Sequence, residues 1–483
     1  MLIWVWPSAY LAFTVDDAFY YLQTARNIAR GFGATFDRFE PTDGFHPLWC
    51  YSLAAVLWLL DKIGVGDTAT AVRLVLSLQA LLILAAGYGL SRAGKRGDLP
   101  QGMALGLAAL LAAFYGAKIL INGQESALQF TLLALVLIVL ARRQAHTQSS
   151  AQSALVLGVI CGLVALARLE ATLFGLACIV GLASHGPPSR AVRRRDALLA
   201  FTTFAAVSAP YWIAHYLETG HWVPVSGVIK AERVQGLSFP ALTGLAIVLA
   251  LAVWLWRNIK TRPGVRLLLP LWIYVLGLQG YLAVVRGELV PEIWYCAPHA
   301  LLLVAHGAQT LATKGWPLWT GASRRVLAFS AALLVSATWV YRALPSSHAR
   351  YQTAAELGPW IDEHLPPDAR VASWDAGILA AHTAHSVTNL DGLVNSWQFK
   401  LRYLDTGAVD QYQRERSIDY LVQYVPLAWL QRGALRWNGV ALGDWHVLEA
   451  RSFELRRVSR FWQTELNVYL VLTRHGTKPR LSE

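Results

Sequence analysis

Residues 14–49 read TVDDAFYYLQTARNIARGFGATFDRFEPTDGFHPLW, and apolar sequence flanks them on both sides. Upstream lies MLIWVWPSAYLAF; downstream, residues 47–61 form a short apolar run that ends at Asp61-Lys62. An acid pair, Asp16-Asp17, therefore stands where an apolar run ends. After it, apolar residues at 18, 21, 22, 25, 28 and 29 follow helical spacing. Gln23, Arg26, Asn27 and Arg30 take the other side, and Gly31 and Gly33 can close the helix. The spacing predicts an amphipathic helix lying on a membrane surface with two carboxylates at its N-terminus, where the helix dipole favours their ionised form. A carboxylate so placed can act as general base on a hydroxyl or amine. The same acids also suit a plain N-cap.

Composition sets this stretch in a membrane. The chain has 483 residues, 55% of them hydrophobic and only 15% charged, against about a quarter charged in a soluble domain. Mean hydropathy is +0.39 and there are 20 Trp. So much apolar surface excludes a single soluble globule and intrinsic disorder. The net charge is +12, but the basic residues sit in short clusters between apolar runs, which marks topology and gives no nucleic-acid footprint. Cys50, Cys161, Cys178 and Cys296 have no metal-type spacing and read as core residues.

Apolar segments fall near 2–15, 69–91, 101–121, 125–141, 152–168, 170–185, 197–217, 238–256, 267–285, 294–312 and 326–343. If 47–61 stays interfacial or re-entrant, the basic clusters at 92–96, 142–143, 190–195, 257–266 and 314–325 all fall on one side. The expectation is about eleven crossings with a cytoplasmic amino terminus and a multi-pass location in the cytoplasmic (inner) membrane. The first run is about 14 residues, roughly 21 Å, short of a ~30 Å hydrocarbon core. It reads as a late start or a truncated first span, with no cleavable signal peptide. The first outer loop, 16–67, carries seven acids and four bases. Two domains are expected: a transmembrane one, 1–344, and a soluble extracytoplasmic α/β one, 345–483. In the second, 370–374, 386–390 and 419–422 read as strands, and 354–365 and 411–416 as helices.

Charged groups at the expected outer ends of spans are Lys118, Arg168, Glu170, Arg286 and Glu288; charge there is costly and often functional. Glu125 sits in a tight hairpin, NGQES, and Lys230 in VPVSGVIK. Cations lining one outward cavity could hold a phosphate. Arg168 and Glu170, two residues apart on a helix, would point to different faces and not pair. Trp212, Tyr216, Trp222, Trp294 and Tyr295 read as an aromatic belt, with a sugar platform as the alternative. No nucleotide-cradling Gly-rich loop, H-E-x-x-H or G-x-S-x-G is present. An activated substrate would have to arrive already in the membrane.

The stretch 14–49, followed by INGQESAL (121–128), ALARLEATL (165–173), VPVSGVIK (223–230) and VTNLDGLVNSWQ (387–398), resembles the GT-C superfamily of polytopic glycosyltransferases. The resemblance is to bacterial relatives of the protein O-mannosyltransferase and lipid A aminoarabinose transferase families. It implies a sugar taken from a polyprenyl-phosphate carrier on the outer side of the membrane. The sugar passes, usually with inversion, to a lipid, glycan or protein acceptor. By the same resemblance Asp16 is the base and Asp17 supports it or binds sugar. The helix after the pair and 47–61 match two juxtamembrane helices. His46, Lys230, Arg286 and Arg168 are implied to contact donor phosphate, and Tyr20, Glu125, Glu170 and Tyr295 to line the sugar or acceptor site. Asn389, Asp391 and Asn395 are weaker matches and also suit a turn. The second acid is Asp where many relatives have Glu. Some members use a divalent metal and others do not; no metal is assigned. The alternative function is a transporter or flippase of lipid-linked sugars, which should carry midplane charges on broken helices.

Overall fold

The computed structural model describes residues 2–5, 7–95, 119–145, 150–184, 189–232, 239–259, 263–287, 292–302, 305, 349–426, 436–437, 440–441, 445–456 and 464–474. Nearly all of the segment expected at 101–121, and all of that at 326–343, lie outside the described residues.

The chain begins with α1 (Leu2–Val5) and α2 (Ala9–Phe13). Val15 is extended, at φ −121° and ψ 160°, and re-aims the chain into α3 (Asp16–Ala29). α4 (Pro47–Lys62) starts with proline at its first turn, where a missing N–H costs nothing. It buries Trp49, Leu53 and Leu57 and exposes Tyr51, Trp58 and Leu59. Then come α5 (Thr68–Lys95), α6 (Ser126–Ala145), α7 (Ala151–Ala167), α8 (Thr172–Ser184) and α9 (Arg190–Thr219). α10 (Val225–Glu232), α11 (Phe239–Asn258) and α12 (Leu269–Val285) complete the helical part described. Among the described residues, three helices are long and apolar enough to cross a membrane: Thr68–Leu90, Ser126–Gln144 and Arg190–Thr219. Ala151–Ala167, Leu169–Ala183, Leu242–Asn258 and Leu269–Val285 are shorter apolar helices.

Small residues set how closely these helices pack. Gly158 and Gly162, one turn apart on α7, face α9. A Cβ on Gly162 would stand 2.7 Å from Val207, and one on Gly158 would run into the backbone of Ala200. The two helices touch through backbone, as small-xxx-small pairs allow in lipid. Cys161 and Cys178 pack in the same core, Cys50 is a buried residue of α4, and none of the four cysteines forms a disulfide.

The C-terminal part opens with α13 (Ala349–His364) and continues β1 (Val371–Ser373), α14 (Gly377–His382) and β2 (Val387–Asn389). β3 (Tyr420–Pro426), the short pair β4 (Arg436–Trp437) and β5 (Val440–Ala441), β6 (Trp445–Arg456) and β7 (Thr464–Arg474) follow. The main sheet runs β2-β1-β3-β7-β6. β1 is parallel to β2 and β3, with Val371 opposite Val387 and Tyr420. β7 closes the sheet antiparallel to β3 and β6. All three residues of β1 are buried, as expected of a parallel strand covered on both faces.

One apolar core crosses between the two parts. Phe19, Leu22 and Phe36 pack in the same cluster as Leu357, Ile361, Val371, Ile378 and Val422. This changes the reading of α3. Most of its polar side is turned into protein, only Arg30 at its end being exposed: Asn27 donates to the carbonyls of Thr35 and Phe36 at 2.9 Å, and Arg26 reaches Thr68 Oγ1 at 3.1 Å. Gln23 and Asn27 are as buried as the apolar side. The helix is packed against protein on both of its sides. Helical spacing shows which side is apolar but not what covers the polar one.

The acids of the first loop do the joining. Thr388 donates to Asp37 at 3.0 Å, Ser396 to Glu40 at 2.9 Å, and Trp397 Nε1 to Asp43 at 2.9 Å. Arg416 pairs with Glu40. Asp43 also meets His215 at 2.8 Å.

Candidate active site

α3 starts at the acid pair, so Asp16 and Asp17 occupy its first turn. Successive residues on a helix point about 100° apart, and the two carboxylates accordingly have different surroundings. Asp17 meets Lys230 of α10 at 3.1 Å; their side chains are 26% and 21% exposed, so the pair is open to a ligand. Asp16 turns toward the C-terminal part. Its Oδ1 accepts the N–H of Ile378 at 3.1 Å, while Oδ2 is buried without a hydrogen-bond partner. Burial, followed by the negative charge of Asp375, raises the Asp16 carboxyl to a pKa of about 7, with Arg350 opposing.

Arg168 departs from the helical expectation. α7 ends at Ala167, and Arg168 is extended at φ −149° and ψ 119° before a short 3-10 turn, Leu169–Ala171. The break swings Glu170 back, and Arg168 Nε pairs with Glu170 at 2.6 Å. The expectation that these two do not pair is corrected, because it assumed a continuous helix. Arg168 Nη1 also holds Glu125 at 2.8 Å and donates to the Trp294 carbonyl at 2.5 Å. Glu125 Oε2 is buried without a partner. His46 caps α4 and accepts the Leu169 N–H at 3.4 Å; burial lowers its basicity and favours the neutral ring.

A short turn, Ile293–Tyr295, gathers the cations. The Arg168 guanidinium lies 4.4 Å and that of Arg286 5.5 Å from the Tyr295 ring centre, and Lys230 Nζ lies 5.7 Å from that of Trp294. Arg286 pairs with Glu292 at 3.2 Å. Such stacking attracts each cation to a ring face and gathers the three about one turn. Trp294 and Tyr295 line one cavity together with Trp212. Tyr216 and Trp222 stack on each other with centres 4.4 Å apart and are exposed, in keeping with a belt.

Two cavities meet here. One, of about 330 Å³, is lined by Asp17, Tyr20, His46, Glu125, Arg168, Glu170, Lys230 and Tyr295, with Trp212, Leu278 and Tyr281 on its apolar side. The other, of about 820 Å³, is lined by Arg286, Asp375, Asp391 and Trp374. Asp17, Tyr20, Lys230 and Trp294 belong to both. Eight of the ten candidates thus surround the smaller cavity, Arg286 lines the larger, and Asp16 lines neither. Lys118 and Glu288 lie outside the described residues. Among the described residues, no group of three His, Cys, Asp or Glu gathers closely enough to hold a metal ion.

The turn residues of the C-terminal part also reach the site. Asn389 Oδ1 accepts the N–H groups of Asp391 and Gly392 at 3.0 and 3.1 Å, closing an Asx-type turn. The same two side chains hold Tyr20: its hydroxyl donates to Asp391 at 2.8 Å and accepts from Asn389 at 3.1 Å. Asp375 and Arg350 carry no motif and were not legible in the sequence.

Residues 341–469 match a family described as a domain of unknown function, DUF8728. No curated protein matches the chain by sequence. Among solved structures, the chain is similar to ArnT from Cupriavidus metallidurans bound to undecaprenyl phosphate. Identity is 13%, 97% of this chain and 96% of that chain are covered, and the TM-score is 0.58. The apo state of ArnT from Cupriavidus metallidurans gives 13% identity, 93% coverage of each chain and a TM-score of 0.54. At this identity the likeness shows the fold: the chain is built like ArnT.

Proposed function

We propose that this chain moves a sugar from a polyprenyl-phosphate carrier to a lipid, glycan or protein acceptor at the outer face of the cytoplasmic membrane. In this reading it crosses the membrane about eleven times, and a domain spanning 345–483 lies outside the cytoplasm. The observation that carries it is the gathering of Lys230, Arg168 and Arg286 on the Trp294-Tyr295 turn beside an acid pair. The fold shared with a protein solved with undecaprenyl phosphate supports the same donor class.

The smaller cavity suits the donor. Its apolar side, Trp212, Leu278 and Tyr281, comes from α9 and α12 and can take the start of a polyprenyl chain. The phosphate then meets Lys230, with Arg168 behind it, and His46 supplies a neutral imidazole. As Lys230 turns to phosphate, Asp17 is released to bind a sugar hydroxyl, together with Glu125, Glu170, Tyr20 and Tyr295. The acceptor enters by the larger cavity. Asp16 lines neither cavity before the acceptor arrives, so in this reading the entering acceptor opens the way to it. Asp16 then takes its proton, the acceptor oxygen or nitrogen bonds to the anomeric carbon, and the bond from that carbon to phosphate oxygen breaks. The leaving phosphate keeps the electron pair, and fixed cations stabilise its charge. Attack opposite the leaving group gives inversion.

The charged groups support transfer over transport. Arg168, Glu125, Arg286 and the acid pair stand at or beside helix ends, whereas a transporter should hold them at mid-helix breaks. The test is transfer by the purified full chain supplied with polyprenyl-phosphate sugars. Asp16→Asn should fold and lose about 10²–10⁴-fold in rate. Arg286→Ala should weaken donor use. Unchanged transfer by Asp16→Asn removes that residue from the mechanism.

A further inference from the structure

One more acid comes to the site from the C-terminal part. β1 ends at Ser373, and Trp374 and Asp375 follow on the wall of the larger cavity. Two residues later, Gly377 packs so tightly on α3 that a Cβ there would stand 2.6 Å from the Asp16 carbonyl oxygen. Ile378 then donates its N–H to Asp16 Oδ1 at 3.1 Å. The segment 375–378 is seated on the first acid. Asp375 is itself held by Arg350 of α13 at 2.8 Å, and the Arg350 guanidinium rests 4.1 Å from the ring centre of Tyr424.

We propose that Asp375 and Arg350 are positioning residues for Asp16, so that the C-terminal part completes the transfer site by holding the first carboxyl and setting the charge it carries when an acceptor arrives. This rests on the reading of Asp16 as the base. After burial, the charges acting on Asp16 are Asp375 and Asp17, which oppose its ionisation, and Arg350, which favours it. Tyr20 from α3, Tyr351 from α13, Tyr424 from β3 and Tyr469 from β7 also face it. All four tyrosines are pushed above the usual phenol range and stay neutral near pH 7. Asp375 and Arg350 therefore act on Asp16 with opposite sign.

The test uses the purified full chain and the variants Asp375→Asn, Asp375→Glu and Arg350→Met. The protonation of Asp16 is followed by infrared difference titration, with its carboxyl band assigned by the loss of that band in Asp16→Asn. Sugar transfer is measured over the same pH range. Asp375→Asn leaves Arg350 unopposed and should move both midpoints down by about one pH unit. Arg350→Met leaves Asp375 unopposed and should move both up by about the same amount. Asp375→Glu should restore the original midpoint. Infrared midpoints that stay put, or that move the same way in Asp375→Asn and Arg350→Met, overturn the proposal. Opposite infrared shifts with an unmoved transfer profile keep the hold on Asp16 and instead remove Asp16 as base.

Discussion

At the scale of single residues, the site turns on two neighbouring acids treated differently by their surroundings. Asp17 is paired and half open; Asp16 is enclosed and binds its proton more tightly than a free carboxyl. A base poised near the working pH combines the ionised form with useful proton affinity. Transfer should therefore rise with pH through a midpoint near 7 as Asp16 ionises. The same displacement acts on stability with a definite sign. The folded chain holds this proton where the unfolded chain has lost it, so the stabilising contribution is full below the unfolded carboxyl range and is lost as pH rises to about 7. Asp16→Asn cannot ionise. Its thermal midpoint should exceed that of the parent at about pH 8 and approach it at about pH 4. Equal midpoints at both pH values would show that Asp16 titrates normally.

At the scale of elements, legibility followed the range of the interaction. α3 was readable because its apolar residues repeat at helical spacing within fourteen residues. The strands at 371–373 and 387–389 were readable as short runs between turns, and β3 began where 419–422 pointed. The division at Arg168 was readable, since the apolar runs 152–168 and 170–185 part there, but the turn that brings Glu170 back onto Arg168 was not, because Leu169-Glu170-Ala171 are good helix formers. The β6–β7 hairpin went unread, although both strands are long. Tyr20 and Asp391 are 371 residues apart, and no local pattern reports such a contact. The α7–α9 crossing makes its own prediction. Gly162→Val places branched carbon where Val207 already sits, and overpacking of this kind costs about 1–3 kcal/mol. A lowered thermal midpoint in detergent would register it; an unchanged one would mean that the helices do not meet at Gly162.

At the scale of the whole molecule, the helical and α/β parts share one apolar core and one site. The first loop's acids, an unexplained excess in the sequence, serve as its polar fastening: Asp37 to Thr388, Glu40 to Ser396, Asp43 to Trp397. Tyr20 is locked by Asp391 and Asn389, and Asp16 by Ile378. The C-terminal part thus walls the larger cavity, where the proposed function brings acceptor and donor together. The donor's seat tests this account most directly. A structure of the purified full chain with undecaprenyl phosphate added should show the phosphate within hydrogen-bond reach of Lys230 Nζ, with its chain running past Trp212 and Tyr281, and Lys230→Ala should empty that seat. A phosphate bound away from Lys230, or undiminished binding by Lys230→Ala, would contradict it.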